Sequence, residues 1–490
     1  MDWKSLLHSL LHLLEYNPKE PMLFNTALFI YLFLVLLFFY QFVYHRQHPR
    51  ILYLTLFSLF FYYKSGGMFF LLLISSTIID FNLAKWIYDA KSKRKKRFLL
   101  IVSLVVNLGL LFYFKYTNFF IQTFNDLNVG HLNPVNIILP VGISFYTFQV
   151  LSYTIDIYKG QLTPSDNIID FGFYVCFFPH LVAGPIVRAA NFLPQIHKDI
   201  VLSKEEVGQA LFLIITGLIK KAVISDYISV NFVDRIYENP MLYSGFENLM
   251  GVYGYAMQIY CDFSGYSDMA IGIALLLGYR LGINFDLPYQ SASITEFWRR
   301  WHISLSSWLR DYLYIPLGGN RKGKLRQYIN LLITMLLGGL WHGASWNFIF
   351  WGFLHGIALA FEKLRDSIFK IPKNIFTRAI GVLFTFHFVC FCWIYFRAKT
   401  FTIANQVISQ IFNQFRGSIA MQWIEGYKYV FALMLIGYLT QFVPKSAHTL
   451  TEKALTHSPV VVKSLIIVLV IWLVIQVKSS DIQPFIYFQF

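Results

Sequence analysis

The stretch that runs from Met22 to Tyr44 reads MLFNTALFIYLFLVLLFFYQFVY, and none of its 23 residues is charged. Because a helix rises about 1.5 Å per residue, this stretch is long enough to cross a hydrocarbon core of about 30 Å. The whole chain shares its character, since 56% of the 490 residues are hydrophobic and 14% are charged, against about 25% charged in an ordinary soluble domain. This composition excludes a water-soluble fold and a disordered chain, and it predicts an all-α, multi-pass membrane protein.

Further apolar stretches follow along the chain, and with the first they predict about eleven to thirteen membrane-crossing or re-entrant helices. Several are only 12 to 18 residues long and are interrupted by Gly, Pro or acidic residues, so we expect them to be buried in protein or to line a wet cavity. They cover residues 51–63, 68–81, 98–114, 137–158, 171–185, 207–224, 249–260, 269–281, 328–341, 345–361, 379–396, 429–442 and 460–477. We expect one membrane domain over residues 1–490, with N-terminal spans in 1–130, a core in 135–400, and C-terminal spans with an aromatic tail in 401–490.

Basic residues cluster at 45–50, 91–97 and 320–326. The positive-inside rule places such clusters on the cytoplasmic side, which puts the N-terminus outside, one crossing before the first cluster. The net charge of +15 fits loops held beside anionic lipid better than it fits a nucleic-acid partner. Residues 6–14 predict a short interfacial helix, and the four cysteines lack the paired spacing of a disulfide framework or a zinc site.

An amphipathic helix is predicted over residues 293–314. Ser293 and Glu296 have the capping-box spacing that starts a helix. Bulky apolar residues then recur at intervals of three and four, which places them on one face: Trp298, Trp301, Leu305, Trp308 and Tyr312. Arg310 and Asp311 belong to the polar remainder, so the helix should lie at a membrane interface.

The basic loop that follows, residues 320–326, includes Arg321 and Lys322. Two interpretations remain open for this loop. It could anchor the protein on lipid headgroups, or it could recognise a phosphorylated acyl donor that approaches from the cytoplasm. Both interpretations require a loop that is exposed on the cytoplasmic side.

A histidine follows the charge-free run Leu331–Leu340, in the sequence Trp341-His342-Gly343. At such a position the ring loses water, which favours the neutral imidazole that a general base requires. The neighbouring glycine lets a substrate approach closely. A hydrogen-bonded core histidine is the alternative interpretation of His342, and it applies equally to His302.

Asp262 and Asp268 are six residues apart, so they do not share one helical face. The serine and glycine between them predict a break in the helix with buried hydrogen bonds. His355 lies in a helical run, where packing is its expected role. The sequence lacks the Gly-x-Ser-x-Gly, Walker, HExxH and Gly-x-Gly-x-x-Gly motifs, so it predicts no hydrolase, ATPase, metal or dinucleotide site.

Three segments carry a family resemblance: WRRWHIS at 298–304, WLRDYLYIPLGG at 308–319 and WHGA at 341–344. Together they resemble the membrane-bound O-acyltransferase family, in the bacterial branch typified by the membrane subunit of alginate O-acetylation. DFSGYSD at 262–268 and the tail PFIYFQF at 484–490 add supporting matches. The resemblance covers the chain from about residue 140 to its C-terminus.

The resemblance implies helices around a central tunnel, with His342 near the centre and His302 towards a cytoplasmic funnel. It implies transfer of an acetyl group from a cytoplasmic thioester, acetyl-CoA, towards an extracytoplasmic polysaccharide across the bacterial inner membrane. A separate periplasmic acetyltransferase would complete the transfer, and no bound cofactor or metal is expected. The substrate-binding candidates are Trp301, Arg310, Asp311, Trp341, Asn347, Arg321 and Lys322.

The expected mechanism has neutral His342 take the proton from an acceptor hydroxyl as its oxygen attacks the thioester carbonyl. His302 or Asn347 would position the donor or stabilise the oxyanion. A histidine that carries the acyl group transiently is an alternative.

Three other functions remain as alternatives. The nearest is D-alanyl transfer from an acylated carrier protein to a cell-wall polymer, as in a related branch of the family. A transporter for an acyl or glycan intermediate would move its substrate without breaking a bond. A scaffold would only dock a periplasmic partner through the aromatic tail.

Overall fold

Capping side chains set several helix boundaries in the computed structural model, which describes residues 13–369, 372, 374–477 and 486. Thr26 and Thr400 each accept a hydrogen bond from the backbone N–H three residues further on, and Asn374 forms a capping box with Thr377. Such bonds satisfy N–H groups that the first turn of a helix leaves free. Every regular element in these described ranges is a helix, which confirms the predicted all-α fold.

The chain packs as two compact units. The first unit runs up to Ser203 and takes in Ile273–Leu281. Its helices are α1 (Ala27–Val43), α2 (Gln47–Gly66), α3 (Phe70–Asp89), α4 (Lys93–Leu111), α5 (Thr117–Asp126), α6 (Ile143–Tyr158), α7 (Ile168–Cys176), α8 (Phe178–Leu181) and α9 (Ala189–Ile196). The single domain expected over residues 1–490 stays a prediction.

The second unit holds the segments from Lys204 to Gly272 and from Gly282 onward. Its helices are α10 (Lys204–Leu218), α11 (Asp226–Ile228), α12 (Asp234–Glu238), α13 (Gly245–Leu276, whose last residues belong to the first unit), α14 (Ile294–Arg300), α15 (Ile303–Leu309), α16 (Lys324–His342), α17 (Trp346–Ile368), α18 (Ile375–Arg397), α19 (Phe401–Asn413), α20 (Ala420–Gly426), α21 (Lys428–Phe442), α22 (Lys445–His457) and α23 (Val460–Val477).

Among the described residues, five helical segments are long and apolar enough to cross a membrane: Gln47–Asp89, Lys93–Asp126, Lys204–Glu238, Ile375–Arg397 and Val460–Val477. The bent pair α21 and α22, which meet at 104°, adds a sixth if it is one span. This number is lower than expected from the sequence, because the first segment contains two of the predicted stretches and several others form shorter helices. The 16 residues of α6 are an example.

Two predicted features lie outside the described residues, in whole or in most of their length. They are the interfacial helix at 6–14 and the aromatic tail at 484–490, of which only Ile486 is described. Of the basic clusters, 91–97 and 320–326 are largely exposed. In the cluster at 45–50 the last residue is not exposed. Arg50 is buried and donates to the backbone carbonyls of Tyr44, Ile196 and Lys198.

The break predicted between Asp262 and Asp268 is wrong, because α13 continues through both residues. Gly265 serves close packing instead: a Cβ there would lie 2.7 Å from the Gly217 carbonyl oxygen of α10. A side chain at this position would therefore push the two helices apart. The prediction of a break failed because a glycine inside a helix can mark a close approach as well as a turn.

The close approach of α13 brings its carboxylates to two lysines. Lys220 Nζ lies 2.7 Å from Asp268, and Lys221 lies between Asp226, at 2.7 Å, and Asp262. Lys221 is held in a π-helical segment, Ile219–Ser225, that follows α10. Lys221 and Asp262 are almost entirely removed from solvent and Asp226 is mostly so, at 19% exposed, so their charges must compensate one another.

Helices α16 and α17 touch through glycines. A Cβ on Gly339 would overlap the carbonyl oxygen of Phe348, and a Cβ on Gly352 would overlap that of Met335. These obstacles are backbone atoms, which cannot rotate away. Small residues of this kind let two helix backbones approach closely in a membrane protein.

We expect Gly352→Ala to lower the stability of the folded protein by about 1–3 kcal/mol, the usual cost of an overpacked contact. Gly426→Ala is the matched control, because among the described residues no atom outside its own stretch of backbone lies within 4 Å of the Cβ that it would add. Thermal unfolding of the purified variants in detergent, monitored by size-exclusion chromatography, measures the stability of both variants. Equal thermal stability of the two variants would contradict the close approach.

Candidate active site

The backbone makes a sharp turn at His302. Ser293 begins α14 by accepting a hydrogen bond from the Glu296 N–H at 3.1 Å, as the capping pattern predicts. The helix nevertheless ends at Arg300, and His302 adopts a left-handed conformation with φ 43° and ψ 56°. Such a conformation costs a non-glycine residue on the order of 1 kcal/mol or more. The single helix predicted over residues 293–314 is therefore wrong.

A neighbouring segment of chain holds this turn in place. The backbone N–H of Ile303 donates to the Asn284 carbonyl oxygen at 2.9 Å, and the Asp286 N–H donates to the Arg300 carbonyl oxygen at 2.9 Å. These long-range bonds satisfy backbone groups that a continuous helix would satisfy internally. Helical periodicity could not reveal them, because the segment around Asn284 precedes the predicted helix.

The His302 ring is completely buried. Its Nδ1 lies 3.2 Å from the Asn284 side-chain oxygen, and the Phe263 ring meets it edge to face with centroids 4.6 Å apart. His302 lies outside the candidate membrane spans, and burial lowers its pKa to about 3. The ring is therefore neutral at pH 7, and one of its nitrogens keeps a lone pair that can accept a hydrogen bond.

His342 is the last residue of α16 and is 3% exposed. Aromatic rings surround it: the Trp341, Trp351 and Phe396 centroids lie 5.0, 5.0 and 5.2 Å from its own. The Trp351 ring stands nearly perpendicular to the imidazole, at 86°. This environment excludes water from most of the His342 side chain.

Trp341 connects the two histidines. Its ring centroid lies 5.9 Å from that of His302 and 5.0 Å from that of His342. Two imidazoles, one in the turn between α14 and α15 and one at the end of α16, therefore contact the same indole within one buried cluster. The two histidines are 40 residues apart in the sequence, and the folded chain brings them into this cluster.

A third histidine extends the cluster, although packing was its expected role. The His355 ring lies 4.8 Å from the Trp351 ring, and the Trp298 indole N–H donates to His355 Nδ1 at 3.3 Å. Because an indole N–H only donates, His355 carries its own proton on Nε2. Its spacing of 13 residues from His342 gives no local signal of this placement.

The other candidates divide between the interior and the surface. Trp301 is buried against Trp393, with centroids 5.0 Å apart. Asn347 is buried too, and its Nδ2 donates to the Ala398 carbonyl oxygen at 2.7 Å. The exposed candidates are Arg310, which pairs with Asp311 at 2.7 Å, and the loop residues Arg321 and Lys322. The interior group can contact a reacting centre, whereas the surface group can contact only the outer part of a donor.

Within the described part of the chain, no group of three or more His, Cys, Asp or Glu residues is arranged to hold a metal ion. The side chains at the cluster supply imidazole, indole, amide and hydroxyl groups. Imidazole is the strongest base among them near pH 7. The arrangement can accept a proton in a dry environment and can hold an uncharged group between aromatic rings.

Residues 164–404 match the model of the MBOAT, or membrane-bound O-acyltransferase, family. A peptidoglycan O-acetyltransferase of Helicobacter pylori is 37% identical over an alignment of 422 residues that covers 79% of this chain and 79% of that protein. The chain belongs to the membrane-bound O-acyltransferase family. As a membrane-bound O-acyltransferase it is an enzyme, which sets aside the transporter and scaffold alternatives.

The names of two further relatives of this O-acyltransferase specify different transferred groups, acetyl in one and D-alanyl in the other. A probable alginate O-acetylase of Pseudomonas putida is 38% identical over 427 residues, 82% of this chain and 86% of that protein. A teichoic acid D-alanyltransferase of Bacillus subtilis is 31% identical over 289 residues, 55% of this chain and 72% of that protein. The similarity to the O-acetylating proteins is higher in identity and extends over more of the chain.

Proposed function

We propose that this enzyme transfers an acetyl group from a cytoplasmic thioester, acetyl-CoA, towards a hydroxyl of a cell-surface polysaccharide outside the inner membrane. The observation that carries the proposal is the buried contact of His302 and His342 with the same indole, that of Trp341. The higher identity to two proteins named for O-acetylation favours acetyl as the transferred group. An alginate-like or peptidoglycan-like glycan is the corresponding acceptor.

His342 acts as the general base in the proposed reaction. It takes the proton from the acceptor hydroxyl as that oxygen forms a bond to the thioester carbonyl carbon. The carbon–sulfur bond then breaks, and the proton passes from His342 to the departing sulfur. Base catalysis of this kind contributes about 10²- to 10⁴-fold to a rate.

The aromatic surroundings of His342 support this role. Trp341, Trp351 and Phe396 keep water from the imidazole, so the thioester is protected from hydrolysis until the acceptor arrives. Transient acylation of a histidine is the alternative route, and it would place the same rings around the acyl group.

The surface candidates fit recognition of the donor. Arg321 and Lys322 are exposed in the loop that precedes α16, and their charges suit the phosphates of coenzyme A. In the proposed topology this loop and the clusters at 45–50 and 91–97 face the cytoplasm, and the N-terminus lies outside. The donor would enter a tunnel from that side, and a separate periplasmic acetyltransferase would complete transfer to the glycan.

D-alanyl transfer from an acylated carrier protein is the second candidate function. The similarity to a teichoic acid D-alanyltransferase favours it. The exposed basic loop suits an acidic carrier protein as well as it suits coenzyme A. The two functions differ in the donor, so the donor decides between them.

We expect purified protein in nanodiscs to release free thiol from acetyl-CoA when acceptor glycan and a periplasmic extract are supplied. A thiol reagent measures the release, and the same mixture without acceptor controls for hydrolysis. Release only from a D-alanylated carrier protein would establish the second function. Release from neither donor would contradict the proposed acyl transfer from a thioester.

A further inference from the structure

The side-chain oxygen of Asn284 is identified by its neighbours. The backbone N–H of Ser304 points at it from 3.2 Å, and the Ser304 hydroxyl lies 2.9 Å away. A backbone N–H can only donate, so the atom that faces it is the oxygen of the amide and not the nitrogen. The amide nitrogen points the other way and donates to the Ser267 hydroxyl at 3.2 Å.

This orientation determines which nitrogen of His302 carries the proton. Nδ1 lies 3.2 Å from the Asn284 oxygen, and a lone pair facing another lone pair at that distance would be repelled. The Ser304 hydroxyl is also 3.5 Å from Nδ1, but it donates its single proton to the Asn284 oxygen, which is nearer at 2.9 Å. Nδ1 is therefore the protonated nitrogen of the neutral ring, and Nε2 carries the lone pair.

We propose that Asn284 is a positioning residue that holds neutral His302 with its proton on Nδ1, so that Nε2 accepts a hydrogen bond from substrate. The group that it accepts from is an O–H or N–H, either the acceptor hydroxyl or an amide of the acyl donor's arm. This inference rests on the proposed function for the contact of His302 with substrate. It excludes one role considered above, because a nitrogen without a proton cannot donate to an oxyanion.

Asn284 contacts the His302 ring through its side chain, and its main chain bonds to the backbone directly after His302. Its carbonyl oxygen accepts from Ile303 at 2.9 Å, and this bond supports the left-handed conformation of His302. The Asn284 side chain thus orients the His302 ring, and the Asn284 carbonyl supports the turn. Replacement of Asn284 would release the orientation of Nε2, whereas the backbone bond to Ile303 could still form.

Nitrogen NMR of the wild-type protein tests the assignment without any activity measurement. The protein would be labelled with ¹⁵N-histidine in nanodiscs, and the His302 signals would be assigned by their loss in His302→Gln. We expect Nδ1 to resonate as a protonated nitrogen and Nε2 as an unprotonated one at pH 7. The opposite tautomer, or a doubly protonated ring, would overturn the inference even if acyl transfer were established.

Variants of Asn284 test its effect on turnover. Asn284→Leu removes the acceptor, and we expect thiol release to fall by about 10²-fold, as for a misplaced catalytic group. Asn284→Asp keeps an oxygen that accepts from Nδ1–H and should recover most of the activity. Asn248→Leu is the matched control, because Asn248 is also fully buried but donates only to backbone carbonyls of residues 240, 243 and 244.

Three outcomes would contradict a positioning role. Folded Asn284→Leu protein with wild-type turnover would show that the amide is not needed, and Asn284→Leu with an unchanged His302 tautomer would show that it does not set the proton. A loss in Asn248→Leu as large as that in Asn284→Leu would show a general effect of losing a buried amide. Absence of thiol release from wild-type protein would instead contradict the proposed function, while the NMR assignment would still stand.

Discussion

His342→Gln should reduce acyl transfer by about 10²- to 10⁴-fold, the contribution of a general base. Glutamine has a similar reach and can form hydrogen bonds, but its amide cannot take up a proton near pH 7. The rings of Trp341, Trp351 and Phe396 should still surround the new side chain, so we expect the variant to fold. Release of thiol from acetyl-CoA in nanodiscs measures the loss.

His387→Gln provides the control for this prediction. His387 lies on α18 with an exposed side chain, where its ring contacts the Tyr253 hydroxyl at 3.0 Å. Its replacement changes the same chemical group at a position outside the buried cluster, so turnover should remain near the wild-type level. If correctly folded His342→Gln protein kept full activity, His342 would not be the base and the mechanism would fail.

Lys221→Met should destabilise the fold by about 3–5 kcal/mol, the usual cost of removing one member of a buried ion pair. The lysine side chain is 2% exposed and lies between Asp226 and Asp262. Methionine fills a similar volume but leaves two carboxylates without a compensating charge. Asp262 also accepts from the backbone N–H of Ile486 at 2.9 Å, which cannot neutralise it. Unfolding by SDS in mixed micelles measures the loss.

The control for Lys221→Met is Lys453→Met, at an exposed position of α22. It removes the same charge from an exposed site that is not part of a buried ion pair, where the expected change in stability is within about 0.5 kcal/mol. A triple variant, with Asp226→Asn and Asp262→Asn added to Lys221→Met, should recover part of the lost stability because no uncompensated charge remains. Equal stability of Lys221→Met and Lys453→Met would contradict the buried charge compensation.

The sequence was sufficient for the fold class and for the identity of the two central histidines. Uncharged runs that are long enough to cross a bilayer predict membrane-spanning helices, because a helix satisfies its own backbone hydrogen-bonding groups in lipid. The motifs around His302 and His342 were specific enough to indicate the family. Both are short contiguous segments, so they are visible without any knowledge of what lies beside them in space.

Local sequence patterns gave wrong predictions of the backbone where contacts with other segments of the chain are also present. The apolar periodicity over 293–314 predicts one helix, but hydrogen bonds from the Asn284 segment stabilise a turn at His302 instead. The glycine between Asp262 and Asp268 predicts a break, but it permits a close approach to α10. In both cases the relevant partner belongs to another segment of the chain, which a local pattern does not include.

By itself, the sequence determined that this protein is a helical membrane enzyme with an imidazole after an uncharged run, since composition and contiguous motifs are local properties. Only the tertiary structure decided that His302 and His342 contact the same indole, that His355 joins them, and that Asn284 faces Nδ1 of His302. These relations depend on which side chains of distant segments meet. Packing and long-range hydrogen bonds determine that, and no spacing along the chain encodes it.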